Sequence, residues 1–226
     1  AVRSVSAKPI FVTFTCDQNG RSISGTDITA ALLVLQGMGI DAFGLNCSAG
    51  PGQMLPQLRR LREYARIPLI AKPNAGMPTI VNGKAVYDCT PEHIAALRGA
   101  LDGAAITPPA PLHTDLLPAA TEKLPALLPA DAAHGPVLDV TPGLEDALSD
   151  ALERDDPMVA LRVASMADVN ALAACQYLLT KPLCLVCGDA AVLEQALRVY
   201  QGRALYEGGL PESVLRPLSD KYGLLF

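Results

Sequence analysis

Hydrophobic and polar positions along this chain fall into two kinds of block. Short, mostly apolar runs stand at residues 10–15 (IFVTFT), 40–46 (IDAFGLN) and 67–74 (IPLIAKPN) and predict strands. The near-continuous apolar character of IDAFGLN is expected of a parallel strand covered on both faces. Longer stretches with helical spacing lie between them. In GTDITAALLVLQGMG, Thr26 or Asp27 supplies the N-cap, Ile28, Ala31, Leu32 and Leu35 form the apolar stripe, and Gly37 and Gly39 end it. GQMLPQLRRLREYAR predicts a helix with Leu55, Leu58 and Leu61 turned inward, and TPEHIAALRGAL one with Thr90 at the N-cap and Pro91 at the first helical position. The opening AVRSVSAKP reads as helical up to Lys8 but has no start signal, so the chain is expected to open inside an element, as an excerpt of a longer protein. Strands alternating with helices across short connections predict βα units on a parallel sheet.

Residues 103–136 break this rhythm. Prolines at 108, 109, 111, 118, 125, 129 and 136 make long regular elements unfavourable, and 103–135 is predicted to be a linker or wrapping segment. Alternation then resumes. Strands are expected at 136–140, 158–163, 182–187, 203–206 and 223–226, with helices near 143–153, 167–178, 190–200 and 211–221. The predicted organisation is a βα portion over 1–102, the proline-rich segment, and a small α/β domain over 136–226.

Composition narrows the function classes. Half of the 226 residues are hydrophobic, only 4% are aromatic, and Trp is absent, which suits alternating strands and helices better than an aromatic-cored β-sandwich. A net charge of −5 argues against a nucleic-acid surface, which needs clustered Lys and Arg. No apolar stretch reaches the roughly 18 residues of a membrane span, and no secretory leader is visible, so a soluble, cytoplasmic chain is expected. The six cysteines (16, 47, 89, 175, 184 and 187) are spread through apolar segments, a pattern that favours reduced thiols or a metal site over disulfides.

Candidate chemistry gathers at the predicted strand ends GLNCSAGP, AKPNAGMP and YDCTPEHI. In βα folds the C-terminal ends of parallel strands carry the chemistry. Asn46, Cys47 and Asn74 stand at two consecutive ends, where a thiolate from one strand and polar groups from its neighbour can converge on an ion such as Zn2+. Read alone, Cys47 is a small apolar residue closing a buried strand before it is a ligand, and Asp27 is a helix cap before it is a substrate contact.

GTD at 25–27, G-x-N-C-x-x-G-P at 44–51 and K-P-N-A-G-M-P at 72–78, in this order and spacing, resemble the homocysteine S-methyltransferase family over roughly residues 1–101. The resemblance implies part of a (βα)8 TIM barrel, entered near its middle, in which three cysteines hold zinc and the zinc binds the homocysteine sulfur. One cysteine comes from the Asn-Cys strand end, and two from a paired-cysteine loop that precedes TPEHI. By correspondence Cys47 is the first ligand, Cys89 a second ligand or simply the residue before the helix cap, and Asn46, Asn74 and Asp27 line the substrate. This chain has no paired cysteines: its YD segment joins directly to CTPEHI. The implied function is zinc-dependent methyl transfer to homocysteine in methionine synthesis. The implied donor is methyl-folate linked or a methyl-corrinoid (cobalamin type) carried on a partner protein or domain. The other reading is a truncated, non-catalytic thiol-binding or protein-docking relative. ALRVYQGRALYEG resembles segments that follow such barrels and support methyl-donor recognition, which implies an auxiliary or docking role for the second half.

Other residues carry less. Cys184 and Cys187 form a C-x-x-C, but an odd separation on a strand points them to opposite faces, which favours core packing. Cys16 and Cys175 read as structural. His93, His113 and His134 have no ligand-type partner at i+4 and are expected at the surface, and the turn glycines 202, 208 and 209 match no nucleotide fingerprint.

Overall fold

The computed structural model describes residues 2–47, 49–76, 79–87, 89–101, 115–140 and 143–226, with the side chains of 100 and 101 left aside. The described residues fall into two compact units, one drawn from 1–32 and 40–112, the other from 33–39 and 113–226.

The first unit opens with α1 (Val2–Val5) and β1 (Phe11–Phe14), followed by α2 (Ile28–Gly37), which begins in this unit. Then come β2 (Ala42–Asn46), α3 (Pro51–Arg62), β3 (Leu69–Lys72), the short strands β4 (Thr79–Val81) and β5 (Lys84–Val86), and α4 (Pro91–Leu101). The strands β1, β2 and β3 pair in parallel in that order. As the middle strand, β2 buries Ala42, Phe43 and Leu45, which is why its hydrophobicity is continuous, whereas β1 and β3 are only partly covered. Gly44 is required by this packing. A Cβ there would lie 2.0 Å from the carbonyl oxygen of Ile70, the residue it faces on β3. The helix α3 buries Met54, Leu58 and Leu61; Leu55, expected to face inward, is only half-buried. This i, i+4, i+7 stripe replaces the expected i, i+3, i+6 one because it stays on a single face of a 3.6-residue helix.

The hairpin β4–β5 was not foreseen. Its residues are exposed, so no burial pattern marks it. Its signal is the Asn82–Gly83 pair, with φ of 51° and 73°, the left-handed pair that a two-residue hairpin turn needs.

The second unit starts with another hairpin, β6 (Leu116–Ala120) and β7 (Pro125–Pro129). Part of the proline-rich segment is therefore regular, while its first part, 103–114 with His113, lies outside the described residues. Prolines fit here because a two-stranded ribbon leaves one side of each strand without a ladder partner. There follow β8 (Leu138–Asp139), α5 (Leu144–Glu153), β9 (Val159–Arg162), α6 (Met166–Cys175) with a short 3-10 turn, β10 (Leu183–Val186), α7 (Ala190–Val199), β11 (Leu205–Glu207) and α8 (Glu212–Tyr222). The strands β8 to β11 form one parallel sheet in sequence order. At the chain end the structure shows a single bridge, Leu225 to Leu205, in place of the strand expected over 223–226. Two of these helices start on side-chain caps: a capping box of Ser165 and Asp168 on α6, and Asp189 on α7.

One face of this sheet packs under the helices, with Leu148, Leu161, Val163, Leu172, Leu183 and Leu185 at its centre. The other face carries Ala160, Cys184 and Leu205 beneath Ala119 and Leu128 of the hairpin. Cys184 and Cys187 thus belong to opposite faces. Both parallel sheets run in sequential order, and neither closes into a barrel among the described residues. No described helix is long and apolar enough to cross a membrane.

Candidate functional site

The C-terminal edge of β1–β2–β3 is built by hydrogen bonds to backbone carbonyls that continue just past the strands. The Thr15 hydroxyl donates to the Asn46 carbonyl at 3.0 Å, and the Cys47 N–H donates to the Lys72 carbonyl at 3.1 Å. Cys47 is the first residue after β2, and its φ of 55° lies in the left-handed region that an L residue enters only at a cost. The turn turns its side chain out of the sheet, and Cys47 is exposed.

The Asn74 amide donates to the Cys47 carbonyl at 3.0 Å, and the Asn74 N–H donates to the Ala49 carbonyl at 2.9 Å. One residue further on, the Ala75 carbonyl accepts the Cys89 N–H at 3.2 Å. Asn46, Cys47, Asn74 and Cys89 therefore lie along one laced strip of backbone, with Cys89 half-buried. Non-glycine residues held in left-handed backbone by their surroundings concentrate at functional sites. Beside this strip, an open depression of about 740 Å3 is lined by residues 13–17 and 21–23 at the end of β1.

Asp27 is engaged elsewhere. It is buried, and one carboxylate oxygen accepts the Thr29 N–H at 2.8 Å and the Arg60 guanidinium at 2.5 Å. Its geometry is that of a helix cap tied to α3.

None of the six cysteines is in a disulfide; Cys16, Cys175, Cys184 and Cys187 are buried. Burial pushes the Cys175 and Cys187 thiols up, and the Cys184 thiol up to about 11 with the Glu207 charge adding to it. A further donor group, His134, Cys184 and Glu207, stands in the second unit. His134 is not the free surface residue that its local sequence suggests. It is half-buried, with ring nitrogens bonded to the Gly135 carbonyl and to Glu207; these bonds, with the nearby charges of Glu207 and Asp156, hold its pKa above the usual histidine value against the opposing effect of burial. No local signal reveals it, because Glu207 is 73 residues away in sequence.

A sequence model for homocysteine S-methyltransferase matches residues 1–107, just under half of the chain. The chain is 41% identical over 92 residues to a methionine synthase of Mycobacterium leprae, and 40% identical over 92 residues to a methionine synthase of Mycobacterium tuberculosis. In both cases the match covers 40% of this chain and 8% of the relative.

Proposed function

On the premise that residues 1–107 match the homocysteine S-methyltransferase family, we propose that the first unit is an arc of a homocysteine-binding (βα)8 barrel within a longer, zinc-dependent methyltransferase of methionine synthesis. The observation that carries this reading is Cys47, an exposed thiol held in left-handed backbone at a strand end by Asn74. The available donors fit Zn2+ in kind, since Cys47 and Cys89 both offer thiolates. They supply two positions of four; the other ligands belong to residues outside those described, or to other parts of the longer protein. Bound there, Zn2+ would supply a Lewis acid that draws off a thiol proton near neutral pH.

The chain's own residues provide positioning. Asn74 fixes the Cys47 carbonyl and with it the direction of the thiol, and Asn46 and Asn74 present polar groups for the amino and carboxylate ends of homocysteine. Asp27 acts one layer back, holding the start of α2 and the Arg60 side chain. The substrate thiolate attacks the methyl carbon in line. The S–C bond forms, the donor–methyl bond breaks, the electron pair stays with the donor, and the thiol proton goes to solvent. A methyl-corrinoid on a partner protein or domain, itself charged from a methyl-folate, is the donor class this reading favours. Cytoplasmic reducing conditions suit a site that depends on exposed thiols.

Zinc content and homocysteine-dependent methyl transfer, measured on the longer protein with and without Cys47→Ser, test the proposal. The substitution should remove about one equivalent of zinc and abolish transfer. Equal zinc and equal activity in both proteins would sink it. The short span of the match favours keeping a second reading, a thiol-binding relative without transfer. That protein would bind homocysteine in a Cys47-dependent way and form no methionine.

A further inference from the structure

The second unit holds a set of donor atoms that the methyl-transfer reading does not use. His134 follows β7, Cys184 is the second residue of β10, and Glu207 is the last of β11. In the parallel register Cys184 pairs with Leu205, so Glu207, two residues on, returns to the same face of the sheet. The loop leaving the hairpin brings His134 to the rim of that face. A ring nitrogen of His134, the Cys184 Sγ and a Glu207 carboxylate oxygen lie within 4.8 Å of one another.

Hydrogen bonding around the imidazole shows how the set is poised. Nδ1 lies 2.5 Å from the Gly135 carbonyl oxygen, and a carbonyl only accepts, so Nδ1 carries the proton. Nε2 then faces a Glu207 oxygen at 2.8 Å. In the neutral ring these are two acceptors, and such a pair holds together only around a cation, either a second ring proton or a metal ion. The Cys184 sulfur beside them favours the metal. A thiol adds nothing to a proton-bridged pair, whereas imidazole nitrogen, thiolate and carboxylate together are a zinc donor set.

We propose that His134, Cys184 and Glu207 form a second Zn2+ site, which fastens the loop after the hairpin to β10 and β11. Zinc–ligand bonds of 2.0–2.3 Å place tetrahedral donors about 3.5 Å apart, so the three side chains need to adjust by about 1 Å. The Gly135 carbonyl serves as the outer partner that orients the ring. Glu207 is exposed and gives the ion its path from solvent, and the fourth position is left to water. On binding, the Cys184 thiol proton leaves to solvent and a Zn–S bond takes its place. The proposal does not depend on the homocysteine reading.

The test uses the full 226-residue chain carrying Cys47→Ser and Cys89→Ser, so that the first unit contributes no thiol ligand. After treatment with a chelator, Co2+ is added as a spectroscopic probe and then displaced by Zn2+. One equivalent of Co2+ should bind with the near-ultraviolet thiolate-to-metal charge-transfer band, and Zn2+ should abolish that band. Cys184→Ala should remove the band, and His134→Gln and Glu207→Gln, both at the rim, should each weaken Co2+ binding by at least about tenfold. Zn2+ should raise the melting temperature of the parent chain and leave that of Glu207→Gln nearly unchanged. Absence of the band in the parent, or equal affinity in the His134 and Glu207 variants, overturns the site even if Cys184→Ala fails to fold. Loss of the band in these variants while Cys47→Ser leaves methyl transfer intact would keep this site and sink the proposed function instead.

Discussion

Cys47 combines a strained backbone with an exposed thiol, and the two properties separate under mutation. With φ at 55°, it bears about 1–2 kcal/mol of left-handed strain. Cys47→Gly relieves that strain at the expense of a more flexible unfolded chain. Its melting temperature, followed by circular dichroism, should stay level or rise, while one equivalent of bound zinc is lost. A fall of several degrees would mean that the thiol also packs. Asp27 behaves in the opposite way. Asp27→Ala removes the cap of α2 and the partner of Arg60, and urea unfolding should show a loss of about 1–2 kcal/mol. Both residues stood out in the sequence, but in each case the structure adds something the sequence did not disclose. The Cys47 motif pointed to chemistry without disclosing the backbone conformation, and the Asp27 cap could be read from its place before Ile28 while the ion pair to Arg60, 33 residues on, could not.

At the scale of elements, close backbone approach decides which glycines matter. Gly44→Ala would drive a methyl into the Ile70 carbonyl of the neighbouring strand, and Gly202→Ala would place one 2.3 Å from the Ala120 carbonyl and 2.6 Å from the Tyr200 ring. Each should lower stability by about 1–3 kcal/mol in chemical denaturation. An effect under a few tenths would show that the strands separate freely. Tyr200 ties the end of α7 to the hairpin through its hydroxyl, which donates to the Ala120 carbonyl at 3.1 Å. Tyr200→Phe should cost only about 1 kcal/mol, because the Arg203 N–H still donates to the same oxygen at 2.8 Å. The buried strands were legible because burial on both faces demands continuous apolar runs, as at Ala42 and Phe43 or Leu183 and Cys184. The hairpins were not. Thr79–Val86 buries nothing, and Pro118, Pro125 and Pro129 gave the second hairpin the composition of a linker. The His134–Cys184–Glu207 group was hidden for a further reason: the register of β10 against β11 and the loop after the second hairpin together assemble it.

Across the whole molecule, acid should weaken both units. Asp41 in the first unit is held below the usual carboxylate range by the Ile10 N–H and by Arg3, and Glu194 in the second by Lys221 and the Tyr222 hydroxyl. A carboxyl lowered in the folded chain gives its stabilisation in full above its unfolded value, about 3.9 for Asp and 4.3 for Glu, and loses it as pH falls through the lower folded value. Wild type and Asp41→Asn should differ in melting temperature at pH 7 and converge as pH falls through the lowered folded value of Asp41. A difference that persists at the acid end would assign the effect to packing. The distribution of thiols has a different consequence at this scale. Four of the six sulfurs are enclosed by the cores and only Cys47 is exposed. A peroxide or an alkylating reagent meeting the folded chain reacts first at that strand end, where sulfenic acid can form while the cores stay intact. Oxidative injury would therefore silence the candidate site and leave a molecule that still looks native by spectroscopy, so its folding and its competence must be assayed separately.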